Sequence, residues 1–190
     1  MYESYFKSSL RKIYSKDEAC IRAAYHKQTT NEGKFMEAGW LDSMRYKLQV
    51  ILQAIEENNN DYFIFADTDI VFYDSFIDDL KTSLGDSDIA CQEDCNSLCA
   101  GFFIARGNEK NKKLFTEVYN NFTQMVNDQV ALNHFKGMVD YKFLDKEKYY
   151  TIGNFFNNAD GTHRWDGVTN IIPSKNIKMH HANYVEGVAE

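Results

Sequence analysis

The sequence has little proline, no long apolar run and a deficit of basic residues, and each shortage excludes a class of protein. One proline occurs in 190 residues, and without repeats or low-complexity tracts the chain shows no linker between domains. No apolar run approaches the roughly 18 residues that suggest a membrane-spanning helix. The opening stretch, "MYESYFKSSLRKIYSK", is too polar for a signal peptide. We therefore expect no membrane span and a cytoplasmic location, which for a viral protein means the host cytoplasm.

Basic residues and zinc-type cysteine pairs are also scarce. Lys and Arg number 21 against 28 Asp and Glu, so the formal net charge is −7. Nucleic-acid partners are attracted by clustered Lys and Arg, so we expect none here. The four cysteines lack the two closely spaced ligand pairs of structural zinc sites and are interpreted as free, partly buried thiols. They are Cys20, Cys91, Cys95 and Cys99.

The apolar and aromatic content is sufficient for one packed core. Hydrophobic residues make up 44% of the chain and aromatic residues 15%, which excludes a disordered chain. From Trp40, apolar residues recur at three- and four-residue steps and predict a helix that ends at "EENNND". The strand "YFIFA" follows directly, at Tyr62–Ala66. Later strands and helices alternate in the same way, so the sequence predicts an α/β layered domain over 1–190.

The remaining segments give shorter predictions. A helix in "FYDSFIDDLKTSL" is expected to be capped near Asp74 or Ser75, and two amphipathic helices are expected in "NEKNKKLFTEVYNNF" and "NDQVALNHF". Strands are predicted at Asp88–Cys91, Cys99–Gly107, Tyr141–Leu144, Ile171–Ile172 and Ile177–Met179.

Two carboxylates stand one residue apart at the end of the strand "YFIFA". Along a strand Asp67 and Asp69 would share one face, with Thr68 on the other. In open α/β sheets ligands bind beyond the carboxyl ends of strands. Two ionised carboxylates repel each other, and a bound divalent cation removes that repulsion. Oxygen ligands suit Mn²⁺ or Mg²⁺, and such ions commonly bridge carboxylates to phosphates.

Haloacid-dehalogenase-like phosphatases also place an Asp-x-Asp motif after an apolar strand, and "FIFADTDIV" fits their pattern. In such an enzyme Asp67 would be the nucleophile and Asp69 the acid/base group. That motif normally opens the fold, however, whereas 66 residues precede Asp67 here. No Lys followed by an acidic pair stands toward the C-terminus to complete the phosphatase pattern.

The order of several motifs resembles the nucleotide-sugar-dependent glycosyltransferases of the GT-A fold. The chain carries "GWLDSMRYKLQVIL", "YFIFADTDIVFY", "CAGFFIAR", "NDQVALNHF" and "KMHHANYVEG" in that order. The resemblance implies one GT-A, Rossmann-like domain with a central mixed, mostly parallel sheet flanked by helices. Such domains begin with an apolar strand that binds the nucleotide base. This chain opens on the helix-like "MYESYFKSSL", so we expect that first strand to be missing or replaced by later residues.

The resemblance also implies roles for individual residues. The donor would be bound by Asp67, Thr68, Asp69, Arg45 and Lys47. Mn²⁺ or Mg²⁺ would be bound by Asp67, Asp69 and one of His180 and His181; strand alternation admits only one, and we favour His181. Gly101, Gln129 and Trp165 would contact the sugar or the acceptor. Asp128 would be the general base if transfer inverts the anomeric centre.

The expected function is therefore metal-dependent transfer of a sugar from a nucleotide diphosphate donor, a UDP-sugar, to a hydroxyl of a glycan or glycoprotein acceptor. Two alternatives stay open at the level of the sequence. One is a phosphatase of the haloacid-dehalogenase type, and the other is a non-catalytic module that binds nucleotide-sugars.

Overall fold

The structure, a computed structural model, describes residues 2–27, 30, 34, 37–151 and 175–182 of the chain. The α-helices are α1 (Ser8–Ile13), α2 (Ala38–Glu57), α3 (Ile77–Leu84), α4 (Glu109–Asn121) and α5 (Asp128–Phe135). A π-helical segment, Tyr2–Lys7, precedes α1, and a 3-10 turn, Lys136–Met138, follows α5. The strands are β1 (Tyr62–Ala66), β2 (Ile70–Phe72), β3 (Ile89–Asp94), β4 (Ser97–Arg106), β5 (Tyr141–Phe143), β6 (Tyr149–Thr151) and β7 (Met179–His181).

The longer elements and the short strand β5 confirm the predictions from hydrophobic periodicity, whereas several other short elements depart from them. Strand β1 has the predicted bounds. The helix expected near Asp74 or Ser75 begins later, with Phe76 at its N-cap, because the apolar residues after Asp69 form strand β2 instead. Strand β6 was not predicted, and the strand expected at Ile171–Ile172 lies outside the described residues.

The strands form two mixed sheets, in the orders β1-β4-β3-β5 and β2-β7-β6. Strand β4 is antiparallel to β1 and β3, and β2 is antiparallel to β7, whereas β3–β5 and β6–β7 are parallel. A mixed sheet flanked by helices was expected, but within the described strands antiparallel pairings outnumber parallel ones. One cause is the β3–β4 hairpin, whose two loop residues, Cys95 and Asn96, have positive φ angles of 51° and 63°. Such two-residue loops join antiparallel strands.

Strand β4 is buried on both faces and separates two hydrophobic clusters. Phe103 belongs to a cluster with the apolar faces of α2, α4 and α5. Its neighbour Phe102 belongs to a cluster with residues of β2, α3, β6 and β7. Because successive side chains of a strand point to opposite faces, β4 supports a helical layer on one side and the second sheet on the other.

Two hydroxyl groups within the first fifteen residues accept hydrogen bonds from the end of β2 and the beginning of α3. The backbone N–H of Phe72 donates to Ser9 Oγ at 3.0 Å. The N–H groups of Phe76 and Ile77 donate to Tyr14 Oη at 2.6 and 3.0 Å. The side chain of Phe76 has no polar group that could cap α3. Tyr14, more than sixty positions away in the sequence, therefore accepts hydrogen bonds from the backbone N–H groups at the start of that helix. Among the helices of the described residues, none is long and apolar enough to cross a membrane.

Candidate active site

The two carboxylates of the Asp-x-Asp motif occupy the turn between the two sheets. Asp67 follows the last residue of β1, and Asp69 precedes the first residue of β2. The backbone N–H of Asp67 donates to the carbonyl of Gly101 in β4 at 2.7 Å, and the N–H of Ala182 donates to the carbonyl of Asp69 at 3.0 Å. These bonds fix the first carboxylate relative to one sheet and the second relative to the other.

Asp67 and Asp69 meet His181, the last residue of β7. The three side chains each offer one ligand atom, and these atoms lie within 4.8 Å of one another. His181 Nε2 lies 3.2 Å from Asp69 Oδ1. In the β2–β7 pairing His181 stands opposite Ile70, directly after Asp69. The structure thus brings His181, and not His180, to the carboxylate pair, as alternation along the strand required.

Gly101 provides the space in which this cluster forms. A Cβ atom at position 101 would lie 2.3 Å from His181 Cε1 and 2.6 Å from Asp67 Oδ2. Any side chain there would displace both groups, since real Cβ contacts are longer. The sequence prediction assigned the space beside Gly101 to the sugar or the acceptor, whereas in the structure Asp67 and His181 occupy it.

A second acidic group is joined to the cluster by Lys47, which extends from the middle of α2. Lys47 Nζ lies 2.9 Å from Asp67 Oδ2 and 3.0 Å from Asp128 Oδ2. Asp128 is the first residue of α5, but Asn127 caps that helix by accepting a hydrogen bond from the N–H of Val130. The Asp128 carboxylate therefore faces Lys47, and both side chains are largely buried.

Burial and the charges of neighbouring side chains both shift the pKa values in this group. Burial by itself would lower the pKa of Lys47, but the carboxylates of Asp128 and Asp67 outweigh it and raise that pKa. Burial raises the pKa of Asp67 against the attraction of Lys47 and His181, and the adjacent Asp69 adds to the rise. Burial opposes protonation of His181, yet the Asp69 carboxylate beside Nε2 raises the pKa of His181 to about 10. Burial and the neighbouring His181 lower the pKa of His180 to about 4.

Gln129 bridges the start of β4 and the end of β3. Its Oε1 accepts from the N–H of Ala100 at 3.2 Å, and its Nε2 donates to Asp94 Oδ2 at 2.9 Å. Asp94 is 2% exposed, and its other oxygen accepts from Thr151 Oγ1 at 3.4 Å. Gln129, the residue after Asp128, therefore has both its amide oxygen and its amide nitrogen in hydrogen bonds within the protein.

Of the three remaining predicted residues the structure describes two, and it brings neither of them to this cluster. The Arg45 guanidinium lies over the rings of Tyr119 and Phe122, 5.6 and 5.3 Å from their centroids, and so is directed toward α4. Thr68 is exposed between the two aspartates. Trp165 lies outside the described residues.

Two polar residues of β3 lie behind the site; the sequence prediction did not consider Gln92 and assigned Asp94 to a loop. Gln92 Oε1 lies 2.9 Å from His181 Nδ1, and Asp94 binds Gln129. The two alternate along one strand, which places them on the same face. That pattern was a usable signal, but the predicted strand stopped at Cys91. None of the four cysteines forms a disulfide; Cys91 and Cys99 are buried, whereas Cys20 and Cys95 are exposed.

The residues of the cluster fit a divalent cation. Two carboxylates and one imidazole converge, and Asp69 Oδ1 is buried without a well-formed hydrogen bond from the described residues. The missing side chain at Gly101 allows this approach. Carboxylate oxygen is the ligand type that Mn²⁺ and Mg²⁺ favour, and imidazole nitrogen binds divalent transition metals.

Comparison with known proteins identifies the family. A UDP-galactose:fucoside alpha-3-galactosyltransferase of Dictyostelium discoideum is 24% identical over 173 residues, and the match covers 70% of this chain and 26% of that protein. The chain thus spans much less than the full length of that relative. A crystal structure of an active-site mutant of LgtC is 15% identical with a TM-score of 0.46, over 69% of this chain and 56% of that one.

A family model described as nucleotide-diphospho-sugar transferase matches residues 7–189. The match confirms the resemblance seen in the ordered motifs and favours a glycosyltransferase over the phosphatase alternative. By that match, which spans nearly the whole sequence, the chain belongs to the nucleotide-diphospho-sugar transferase family.

Proposed function

We propose that this chain is a metal-dependent glycosyltransferase that moves a sugar from a UDP-sugar to a hydroxyl group of a glycan or glycoprotein. The observation that carries the proposal is the convergence of Asp67, Asp69 and His181 within 4.8 Å, with Lys47 linking them to Asp128. Family membership supports the nucleotide-sugar donor. The name of the Dictyostelium relative, which specifies UDP-galactose, supports uridine as the base.

Asp67, Asp69 and His181 would hold Mn²⁺ or Mg²⁺. When bound, the ion supplies Lewis-acid neutralisation of the charge on the departing nucleoside diphosphate. Lys47 keeps a positive charge between Asp67 and Asp128, so it holds the donor side of the site and α5 in one arrangement. It also reduces the repulsion among three carboxylates.

Asp128 and Gln129 would contact the reacting sugars. In the proposed reaction the acceptor hydroxyl attacks the anomeric carbon as oxocarbenium-like character develops there. If the anomeric centre inverts, Asp128 accepts the proton of that hydroxyl. Its position at the start of α5, facing Lys47, places a carboxylate at the edge of the cluster.

The other predicted contacts and the setting of the protein remain proposals. Thr68 would contact the nucleotide-sugar donor, and Trp165 would form a platform for the acceptor. We also propose that residues 1–190 belong to one domain, and that the protein is cytoplasmic.

The test is nucleotide-dependent stabilisation together with donor turnover. UDP with Mn²⁺ is expected to raise the melting temperature of the wild-type chain, because a ligand that binds only the folded state stabilises it. Asp69→Asn is expected to abolish that rise and the hydrolysis of the sugar donor. The matched control is Asp86→Asn, which changes an exposed carboxylate and is expected to leave both signals unchanged.

The results separate the proposal from its alternatives. A wild-type chain that shows no shift with any nucleoside diphosphate and Mn²⁺ or Mg²⁺ contradicts it. Binding without turnover, across a panel of donors and acceptors, supports the non-catalytic binding module instead.

A further inference from the structure

Both ring nitrogens of His181 have polar neighbours. Nε2 faces the cluster, 3.2 Å from Asp69 Oδ1. Nδ1 lies 2.9 Å from Oε1 of Gln92 on strand β3. His181 is 3% exposed and Gln92 is 0% exposed, so water does not compete for the contact between them.

The orientation of the Gln92 amide follows from its other partners. Its nitrogen lies 3.2 Å from the backbone carbonyl of Tyr149 and 3.6 Å from the sulfur of Met179. A carbonyl oxygen only accepts hydrogen bonds, so the NH₂ group of Gln92 must point to Tyr149. The amide oxygen must then point to His181.

Once a cation is bound at the cluster and the ring is neutral, the amide oxygen decides which nitrogen of His181 keeps a proton. Because Gln92 Oε1 can only accept, His181 Nδ1 must be the donor. In a neutral imidazole with a proton on Nδ1, the free lone pair is on Nε2. Nε2 is the nitrogen that faces Asp67 and Asp69, so the tautomer suits a metal ligand.

We propose that Gln92 is a positioning residue that fixes the tautomer and the ring orientation of His181 for a divalent cation. The inference rests on the proposed function only in taking that cation as the ligand. Gln92 connects β3 to β6 through Tyr149 and to β7 through Met179, so the ring is placed relative to both sheets. Gly101 leaves room for the Cε1 edge of the ring.

Cys99 is the competing candidate for this role. Its Sγ lies 3.7 Å from His181 Nδ1, a longer contact to a weak acceptor. Cys99 also accepts a hydrogen bond from the N–H of Gly101. The amide at 2.9 Å therefore outweighs the thiol as the partner of Nδ1.

The experiment measures Mn²⁺ binding by electron paramagnetic resonance, without any need for turnover. Gln92→Met keeps an unbranched buried side chain but removes the acceptor, and its dissociation constant for Mn²⁺ is expected to rise by about 10- to 100-fold, the usual effect of losing such a partner. Gln92→Glu, neutral because it is buried and donating its O–H to the Tyr149 carbonyl, keeps an acceptor for Nδ1 and is expected to stay within a few-fold of wild type. Cys99→Ala is expected to match wild type.

A spectroscopic measurement separates positioning from general destabilisation. With ¹⁵N-labelled histidine and Mg²⁺, wild-type His181 is expected to carry its proton on Nδ1. A proton on Nε2 in that state overturns the inference. So does a Gln92→Met protein that binds Mn²⁺ as tightly as wild type, or a Gln92→Glu protein that loses as much affinity as Gln92→Met.

The same titration distinguishes this inference from the proposed function. If the wild-type chain binds Mn²⁺ and transfers no sugar, the proposed activity is rejected. The role of Gln92 is then decided by the Mn²⁺ affinities of the variants alone. If the wild-type chain binds no Mn²⁺, both the metal site and the role of Gln92 are rejected.

Discussion

Gly101 shows at the scale of one residue how an absent side chain shapes the candidate site. It lies inside the buried strand β4, where glycine is ordinarily unfavourable because it adds no packing and loses more backbone entropy. The structure accounts for it by the approach of Asp67 and His181 to its Cα atom. Glycine at this position therefore leaves space for the carboxylate–histidine cluster but makes strand β4 less stable.

Gly101→Ala is expected to disrupt the cluster. The new methyl group would lie 2.3 Å from His181 Cε1, so the ring must move and Mn²⁺ binding is expected to fall at least tenfold. Forcing a methyl group into a packed interior costs about 1–3 kcal/mol of unfolding free energy. Urea denaturation and a Mn²⁺ titration measure the two effects.

The matched control is Gly137→Ala. Among the described residues no heavy atom lies within 4 Å of a Cβ built there, so stability and Mn²⁺ binding are expected to stay as in wild type. Unchanged Mn²⁺ binding in Gly101→Ala would show that the cluster does not need this space.

At the scale of elements, Asp79 joins helix α3 to the start of strand β6. Its carboxylate accepts from Lys148 Nζ at 2.6 Å and from Tyr149 Oη at 2.7 Å. Burial by itself would raise the pKa of Asp79, but these two hydrogen bonds outweigh it and lower that pKa. The folded state therefore binds fewer protons at this position than the unfolded state does.

The stability that Asp79 provides is expected to disappear in acid. Because its folded pKa is depressed, the contribution is complete above the unfolded value of about 4 and is lost as the pH falls through the folded value. Wild type is therefore expected to be more stable than Asp79→Asn at pH 7, and the difference is expected to shrink below pH 4. Urea denaturation at a series of pH values measures it.

Asp78→Asn is the control for that experiment. The neighbouring Asp78 side chain is fully exposed, so its replacement is expected to leave stability close to wild type at pH 7. A gap between wild type and Asp79→Asn that stays constant from pH 7 to pH 3 would contradict the assignment.

At the scale of the whole molecule, strand β4 lies between two hydrophobic cores. Leu132 of α5 belongs to the cluster on the helical side, and Leu80 of α3 belongs to the cluster on the other side. Both are fully buried. If residues 1–190 form one cooperative domain, a cavity in either core lowers the stability of both.

Leu80→Ala and Leu132→Ala are each expected to lower the free energy of unfolding by about 2–5 kcal/mol. Each variant is expected to unfold in one transition, seen alike by circular dichroism and fluorescence. The control, Val130→Ala, changes a side chain of α5 that is 47% exposed and is expected to shift stability by less than about 0.5 kcal/mol. Two separate transitions would argue for two independent units.

The sequence was most informative where a single element decides the outcome. Strand β1 was read from its apolar run, and alternation admits only one of His180 and His181 at the carboxylate pair, beside which His181 lies. Arg45 and Lys47 stand two residues apart on α2, about 200° around the helix, so only one could face the sheet. Which of the two does so depends on how α2 packs against the rest of the fold. The residues next to them in the sequence do not reveal it.

Contacts between distant segments were the part that the sequence could not predict. The Lys47–Asp128 pair joins α2 to α5 across 81 residues, and nothing local marks the two as partners. Gln92 reaches His181 only because the β3–β4 hairpin sets the register of β3 beside β4. The balance of parallel and antiparallel pairing was missed for the same reason, since it depends on that hairpin.

The hydroxyl groups of Ser9 and Tyr14 have a consequence for how the chain can be shortened. Together they accept hydrogen bonds from three backbone amides at the end of β2 and the beginning of α3. Removal of the first fifteen residues would leave these three amides to find new partners and would uncover the apolar surface that Phe6 and Leu10 occupy. The opening segment thus completes the hydrogen bonding and packing beside the second sheet. A shortened version of this protein therefore has to begin before Phe6.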